Sequence, residues 1–332
     1  MPINLKNNKL LLILICAVLL LPLAGFGTFL ARPAGDGKNI RILDFTEGSS
    51  LRKFAGELET SGIISSARLF LVYTRLRGAD GRVKAGSYQF SDGLSPVEIL
   101  RKLVAGEVFV YRFAVPEGYS IYQIAELLDG RGIFRKDAFL KQCFDRALLK
   151  ELGIGGKSVE GYLFPSTYSI PPRMDEAGLV RMMVAQFDKV YGQRFAGRVE
   201  ALRTSRNAVV TLASIIEKEA VNPAERPLVA SVFWNRLKKG MPLQSDPTAV
   251  YGIRAFAGKV SKQDIMRTTP YNTYLIRGLP PGPIGNPGSD AIEAVLAPAA
   301  TPYYYFVAKK DGSHYFSATL EEHNRAVRTY LR

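Results

Sequence analysis

The sequence predicts an α+β protein carried on one N-terminal transmembrane helix, and three observations lead to that reading. An uncharged apolar run stands near the start of the chain. A strand–turn–helix unit then occurs twice. Short helical and extended patterns alternate after it, without the long βαβ series of a doubly wound sheet.

The run Leu10–Ala31, LLLILICAVLLLPLAGFGTFLA, carries no charge. At ~1.5 Å per residue it spans a bilayer core of ~30 Å. Lys6 and Lys9 precede it and Arg32 follows. That bias predicts a single-pass protein with a cytoplasmic N-terminus and its bulk outside the cytoplasmic membrane. No small-x-small site follows, which favours an uncleaved anchor over a signal peptide. Residues 1–9 then form a cytoplasmic tail, 10–31 the span, and 32–38 (RPAGDGK) a Gly/Pro linker.

The 332 residues suffice for this anchor and two modest domains. A net charge of +14 favours an anionic partner: nucleic acid, a lipid surface or an acidic wall polymer. The charges are dispersed, however, and fit a generally solvated basic surface. Export and the lack of a basic-aromatic motif argue against nucleic acid. Cys16 and Cys143 fall in different compartments, so no internal disulfide is expected. The bulky Ile15 before Cys16 argues against lipoprotein cleavage. With two histidines and no paired cysteines, no metal site is expected, and no cofactor.

Ile42–Ile63 (ILDFTEGSSLRKFAGELETSGI) and Arg112–Ile133 (RFAVPEGYSIYQIAELLDGRGI) align without gaps. Gly48 matches Gly118, Ser50 matches Ser120, Ala55 matches Ala125 and Gly62 matches Gly132. Each copy reads as a strand, a Glu-Gly turn, a Ser N-cap and an amphipathic helix closed by glycine. A Gly-aromatic strand follows each, at Ala85–Phe90 and Glu160–Tyr168. The pattern at Val115–Ala125 resembles the LysM module, which implies binding of N-acetylglucosamine-containing glycans. A generic βα unit duplicated for packing explains these residues equally well. The domains expected are a LysM-like subdomain over 39–109 and a mixed α+β catalytic domain over 110–332.

NAVVTLASIIEKEAV predicts a helix over Asn207–Val221. Val209, Ala213, Ile216 and Ala220 form an apolar stripe, flanked by Glu217 and Glu219, with Lys218 opposite. A carboxyl buried beside such a stripe has its pKa raised toward that of a general acid. Periodicity does not choose between the two glutamates, and a solvated pair on an amphipathic helix has the same pattern. Two later stretches, FWNRLKKGMPLQSDPTAVY (Phe233–Tyr251) and TPYNTYLIRGLPPGPIGNPG (Thr269–Gly288), mix aromatics with amides and hydroxyls, as sugar recognition requires. The second holds too many Gly and Pro for a helix or central strand. It reads as a shaped loop or a rigid connector. Phe233, Trp234 and Leu237 fit an inward helix face. His314 and His323 read as packed or capping residues.

GYLFPSTY, LASIIEKEA, FWNRLKKGMPLQSDPTAVYG, TPYNTYLIRGLPPGPIGNPG and HYFSATLEEH together resemble the YceG/MltG-type endolytic murein transglycosylases, from about Val110 to the end. The resemblance implies a peptidoglycan lyase. It would cut the MurNAc-β-1,4-GlcNAc bond inside nascent strands, leave 1,6-anhydroMurNAc ends and so terminate glycan elongation. It chooses Glu217 as the catalytic residue and leaves Glu219 in support. Gln244, Ser245, Asp246, Tyr271, Asn272 and Asn286 are the groups expected to orient sugar and acetamide. Glycan strands are the expected partner, beside membrane-bound peptidoglycan synthases. A non-catalytic wall-binding scaffold and a water-using muramidase are the alternatives.

Overall fold

The computed structural model describes residues 18, 20–201, 204–220, 222–253 and 260–331. The tail 1–9, Cys16 and much of the apolar run expected to span the membrane lie outside these residues. Helix α1 covers residues 20–31. Among the described residues, no helix is long and apolar enough to cross a membrane. The architecture is mixed α+β and mostly helical, with three two-stranded sheets: β1 with β2, β3 with β4, and β5 with β6. Contacts divide the chain into two units. One reaches Tyr111 and takes in Ser169–Arg173; the other is Arg112–Tyr168 with Met174–Arg332.

In the first unit β1 (Ile40–Phe45) leads through a turn at Gly48, φ +79°, into α2 (Leu51–Thr60). The Ser50 side chain accepts from Lys53 N and caps the helix. Helix α3 (Ala67–Leu76), β2 (Gly86–Ser91) and α4 (Pro96–Ala105) follow. Strands β1 and β2 are antiparallel, with Ile42 opposite Gln89 and Phe45 opposite Gly86. The core gathers Phe54, Leu58, Phe70, Tyr88, Phe90 and Leu103. Tyr88 is fully buried because its hydroxyl donates to Lys84 O at 2.7 Å.

The repeat reappears as β3 (Tyr111–Ala114), a turn at Gly118 (φ +76°), the Ser120 cap and α5 (Ile121–Gly130). Helices α6 (Lys136–Cys143) and α7 (Arg146–Glu151) then lead to β4 (Thr167–Ile170). Both copies thus run strand, helices, paired strand, beyond the 22 matched residues. The strand expected from Glu160 starts only at Thr167. Gly161 at φ +87° and Pro165 turn the chain before it can pair.

Helices α8 (Glu176–Arg194), α9 (Ala196–Ala201) and α10 (Arg206–Glu219) come next. They are followed by α11 (Arg226–Lys238), α12 (Asp246–Val250), α13 (Lys262–Met266) and α14 (Ser289–Leu296). Strands β5 (Tyr305–Ala308) and β6 (His314–Ser317) form an antiparallel hairpin, and α15 (Leu320–Tyr330) ends the chain's described fold. Helix α10 packs against α14, α11 and α12, and every residue from Val209 to Ile216 is buried. It is wrapped on all sides rather than along one stripe. Its polar side chain Ser214 donates to Thr211 O and accepts from Ile284 N, so burial leaves that hydroxyl satisfied.

Candidate active site

Ser205 caps α10 by accepting from Ala208 N, and the uncharged run beyond it stays in the core. Arg206 opens the helix, paired with Asp188, and charge returns only in the last turn, Glu217-Lys218-Glu219. The chain then breaks at Pro223 and restarts as α11 at Arg226. This reversal brings Arg226 back onto Glu217.

Arg226 Nη2 donates to Glu217 Oε1 at 2.5 Å, and Gly288 N donates to Oε2 at 3.0 Å. The two side chains are 7% and 5% exposed. Glu117, half-exposed, lies 3.6 Å from the same Arg226 nitrogen. Burial raises the Glu217 pKa above the ordinary carboxyl value. The Gly288 hydrogen bond and the Arg226 charge pull it down; Glu117 and Asp290 add to the rise. Packing around Glu217 is close, and glycines permit it. A Cβ on Gly118 would stand 3.2 Å from Glu217 Cγ, and one on Gly288 would fall on the Glu117 carboxyl. A Cβ on Gly285 would stand 2.6 Å from Gly118 O.

Glu219 turns into a different cluster. It accepts from Ser245 Oγ at 2.5 Å, and burial lifts its pKa to about 7. Gln244 precedes Ser245 in a left-handed conformation, φ +51°, and is exposed. Asp246, also exposed, accepts from Tyr274 OH at 2.6 Å.

A third carboxyl, Glu160, has a similar rise. Ile121 N donates to both its oxygens at 3.1 Å, Tyr251 OH to Oε2 at 2.9 Å, and Asn286 Nδ2 to Oε1 at 3.0 Å. Burial pushes its pKa to about 7 against these bonds. Tyr271 packs on the Tyr251 ring, 4.6 Å between centroids.

The predicted site residues therefore fall into separate groups. Glu219, Gln244, Ser245 and Asp246 come together. Asn286 and Tyr271 belong with Glu160. Asn272 is fully buried, its amide donating to Ile265 O and Arg267 O and accepting from Tyr274 N. Asn286, also fully buried, accepts from Leu163 N and donates to Tyr119 O as well as to Glu160. Among the described residues none of these is hydrogen-bonded to Glu217. The Pro-Gly loop reaches Glu217 through its last residue, Gly288.

Sequence reasoning missed Arg226, Glu117 and Glu160. Only the Pro223 break hinted that the next helix would return to Glu217. Trp234 is half-buried, its Nε1 donating to Val295 O, and lines a surface recess rather than the core. Phe233 takes the inward place. His314 is packed and bonded, Nδ1 to Glu225 Oε2 at 2.7 Å, while His323 stacks on Tyr305. Among the described residues, no group of three or more His, Cys, Asp or Glu could hold a metal ion.

The model of the YceG-like family matches residues 43–329. A Bacillus subtilis (strain 168) protein named endolytic murein transglycosylase is 33% identical over 323 residues, covering 92% of this chain and 89% of that one. A protein of the same name from Streptococcus pneumoniae serotype 2 (strain D39) is 30% identical over 328 residues. That match covers 89% of this chain and 59% of the streptococcal one. The crystal structure of a yceG-like protein from Listeria monocytogenes superposes with a TM-score of 0.62 at 32% identity. It covers 88% of this chain and all of that one.

Proposed function

This chain belongs to the YceG-like family, and from that premise we propose that it is an endolytic lytic transglycosylase of peptidoglycan, with Glu217 as its acid and base. The observation that carries the reading is the Glu217 environment: a buried carboxyl of raised pKa, held by one guanidinium and one backbone N–H. The substrate is the β-1,4 bond between N-acetylmuramic acid and N-acetylglucosamine inside a nascent strand. Cutting there terminates elongation, beside the synthases that make the strand.

Protonated Glu217 gives its proton to the glycosidic oxygen as the bond to C1 breaks. The Glu217 carboxylate left behind is the form that Arg226 and Gly288 N stabilise. It then takes the proton of the C6 hydroxyl of the same muramic residue, whose oxygen closes on C1. Glu217 is protonated again, no water is consumed, and the product is a 1,6-anhydro end. Proximity favours this internal nucleophile over water. One carboxyl suffices, unlike the usual two-carboxylate glycosidase.

We assign the exposed Gln244 and Asp246, and the partly exposed Tyr271, to contacts with the sugar. Glu219 and Ser245 support the Gln244 loop from behind, and Asn272 and Asn286 hold the loops. The domain order extends the same reading: a LysM-like subdomain over 39–109 and a catalytic domain from 110. The exposed apolar face of α1, with Leu20, Leu21 and Leu23 each at least 60% exposed, favours the reading of Leu10–Ala31, of which α1 is the later part, as a membrane anchor.

The test is incubation of the full chain in detergent with uncrosslinked glycan strands, the products read by mass spectrometry. Ends lighter by one water than a reducing muramic end are expected. Reducing ends would instead mean hydrolysis. Uncut strands would leave a wall-binding scaffold.

A further inference from the structure

Lys218 stands between two glutamates and shares the partners of neither. Its stem runs along two glycines: Cδ and Cε lie 3.8 Å from where a Cβ on Gly118 would stand, and Cε 3.4 Å from one on Gly285. Any larger residue at either position would crowd this path. At its end, Nζ reaches, among the described residues, only Gln123 Oε1, at 3.5 Å. That oxygen already accepts from Ser120 N and Ser120 Oγ. Among the described residues, no carboxylate lies within ion-pair distance of Nζ. An ammonium has three N–H donors, and a half-buried one with a single long contact is costly unless another acceptor completes it.

The ammonium faces a recess whose lining is polar at Ser120, Tyr122, Gln123, Glu126, Lys136 and Tyr251 and apolar elsewhere. Ser120 to Gln123 form the cap and first turn of the ten-residue α5, whose positive dipole end favours anions. The rings of Tyr122 and Tyr251 stand 6.1 Å apart beside it. Lys136 pairs with Glu126 at the rim, 2.9 Å. Behind the recess, the Glu160 carboxyl is occupied by Ile121 N, Tyr251 OH and Asn286 Nδ2. Burial draws the Lys218 pKa below its ordinary value, and the Glu160 and Glu217 charges oppose that fall.

We propose that this recess is a carboxylate subsite: it takes an acidic substituent of the substrate glycan on Lys218 Nζ, beside the catalytic carboxyl. The inference rests on the reading under Proposed function and deepens it. Muramic acid offers such a group in two ways, as its own lactyl carboxylate or on a stem peptide attached to it. The site selects muramic over glucosamine residues at that position, since only muramic acid carries an acid. Pairing there would also set the register of the strand against Glu217, one residue away on the same turn.

The test uses the full chain in detergent with Glu217→Gln to stop turnover, alone and combined with Lys218→Met or Lys218→Arg. Binding is measured to three probes: peptide-bearing strands, peptide-free strands with free lactyl carboxylates, and peptide-free strands with those carboxylates methylamidated. Lys218→Met should weaken binding of a carboxylate-bearing probe roughly tenfold, as loss of a charge-assisted hydrogen bond implies. Binding of the amidated strands should not change, which also reports that the variant is folded. Lys218→Arg should restore the difference. Whichever of the first two probes loses affinity identifies the source of the carboxylate. Equal affinities for Lys218→Met and its parent on both acidic probes would overturn the proposal, as would an equal loss on all three. Cleavage by the unsubstituted chain is read in parallel. Uncut strands there refute the transglycosylase reading, while the binding comparison judges the subsite separately.

Discussion

Arg226 Nη2 lies 2.5 Å from Glu217 Oε1, in a pair that is almost wholly buried. Such a pair gains little over apolar packing, yet removing one partner strands the other charge. Arg226→Met should therefore cost ~3 kcal/mol at pH 8, measured by urea unfolding. The loss should shrink at pH 5, where Glu217 can take a proton. Combining Arg226→Met with Glu217→Gln should recover most of the loss, because no buried carboxylate is left unpaired. Additive losses in the double variant would mean that the two side chains are not coupled. Removing Arg226 also removes a cation that lowers the Glu217 pKa, so the alkaline limb of activity should move to higher pH.

Gly285 and Gly288 both lie close to the Glu217-Lys218 turn but differ in what surrounds them. A Cβ on Gly285 meets backbone, the Gly118 carbonyl oxygen. A Cβ on Gly288 meets the end of the half-exposed Glu117 side chain, which can rotate away. Gly285→Ala should cost about 1–3 kcal/mol through forced backbone movement. Gly288→Ala should cost less than 1 kcal/mol and alter activity more than stability. Thermal unfolding of the two variants, beside strand-cleavage rates, checks the order.

Glu160 and Glu219 share a pH signature. Each has a folded pKa of about 7, above the ordinary carboxyl value of 4.5. A raised carboxyl pKa means that the unfolded state loses its proton first. The stability from the protonated groups is complete below about pH 4.5 and is lost as pH rises toward 7. The fall should be on the order of a few kcal/mol. Glu160→Gln should flatten it, since a glutamine does not ionise. Urea unfolding at intervals from pH 4.5 to 8 measures both slopes. An unchanged slope in the variant would show that Glu160 is charged throughout.

Much of this could be read from the residues. Ser50 and Ser120 cap the two repeat helices where the Glu-Gly-x-Ser pattern puts them, since a short hydroxyl before an apolar run has one obvious hydrogen-bonding use. Helix α10 was legible from its apolar run, Arg206–Glu219 against the expected Asn207–Val221, although the Ser205 cap that opens it went unread. The burial of α10 on every side was not legible, because Thr211 and Ser214 read as polar although small hydroxyls enter a core easily when a carbonyl is near. The pairing with Arg226 depends on how the chain turns after Pro223, which is a tertiary matter. Asn272 and Asn286 have the side chains that sugars need, but a tight Pro-Gly loop leaves backbone groups without partners, and both amides serve those. Residue type gives the chemistry available, and only the fold says which groups use it.

The most direct test of the account is Glu217→Gln in the full chain, assayed on uncrosslinked strands for anhydro ends and for strand binding together. The substitution keeps the shape and an oxygen for Arg226 or Gly288 N, but holds no transferable proton. Cleavage should fall by at least ~100-fold, within the range that general acid–base catalysis contributes, while strand binding persists. Anhydro ends formed at or near the unsubstituted rate would contradict its role as the proton donor.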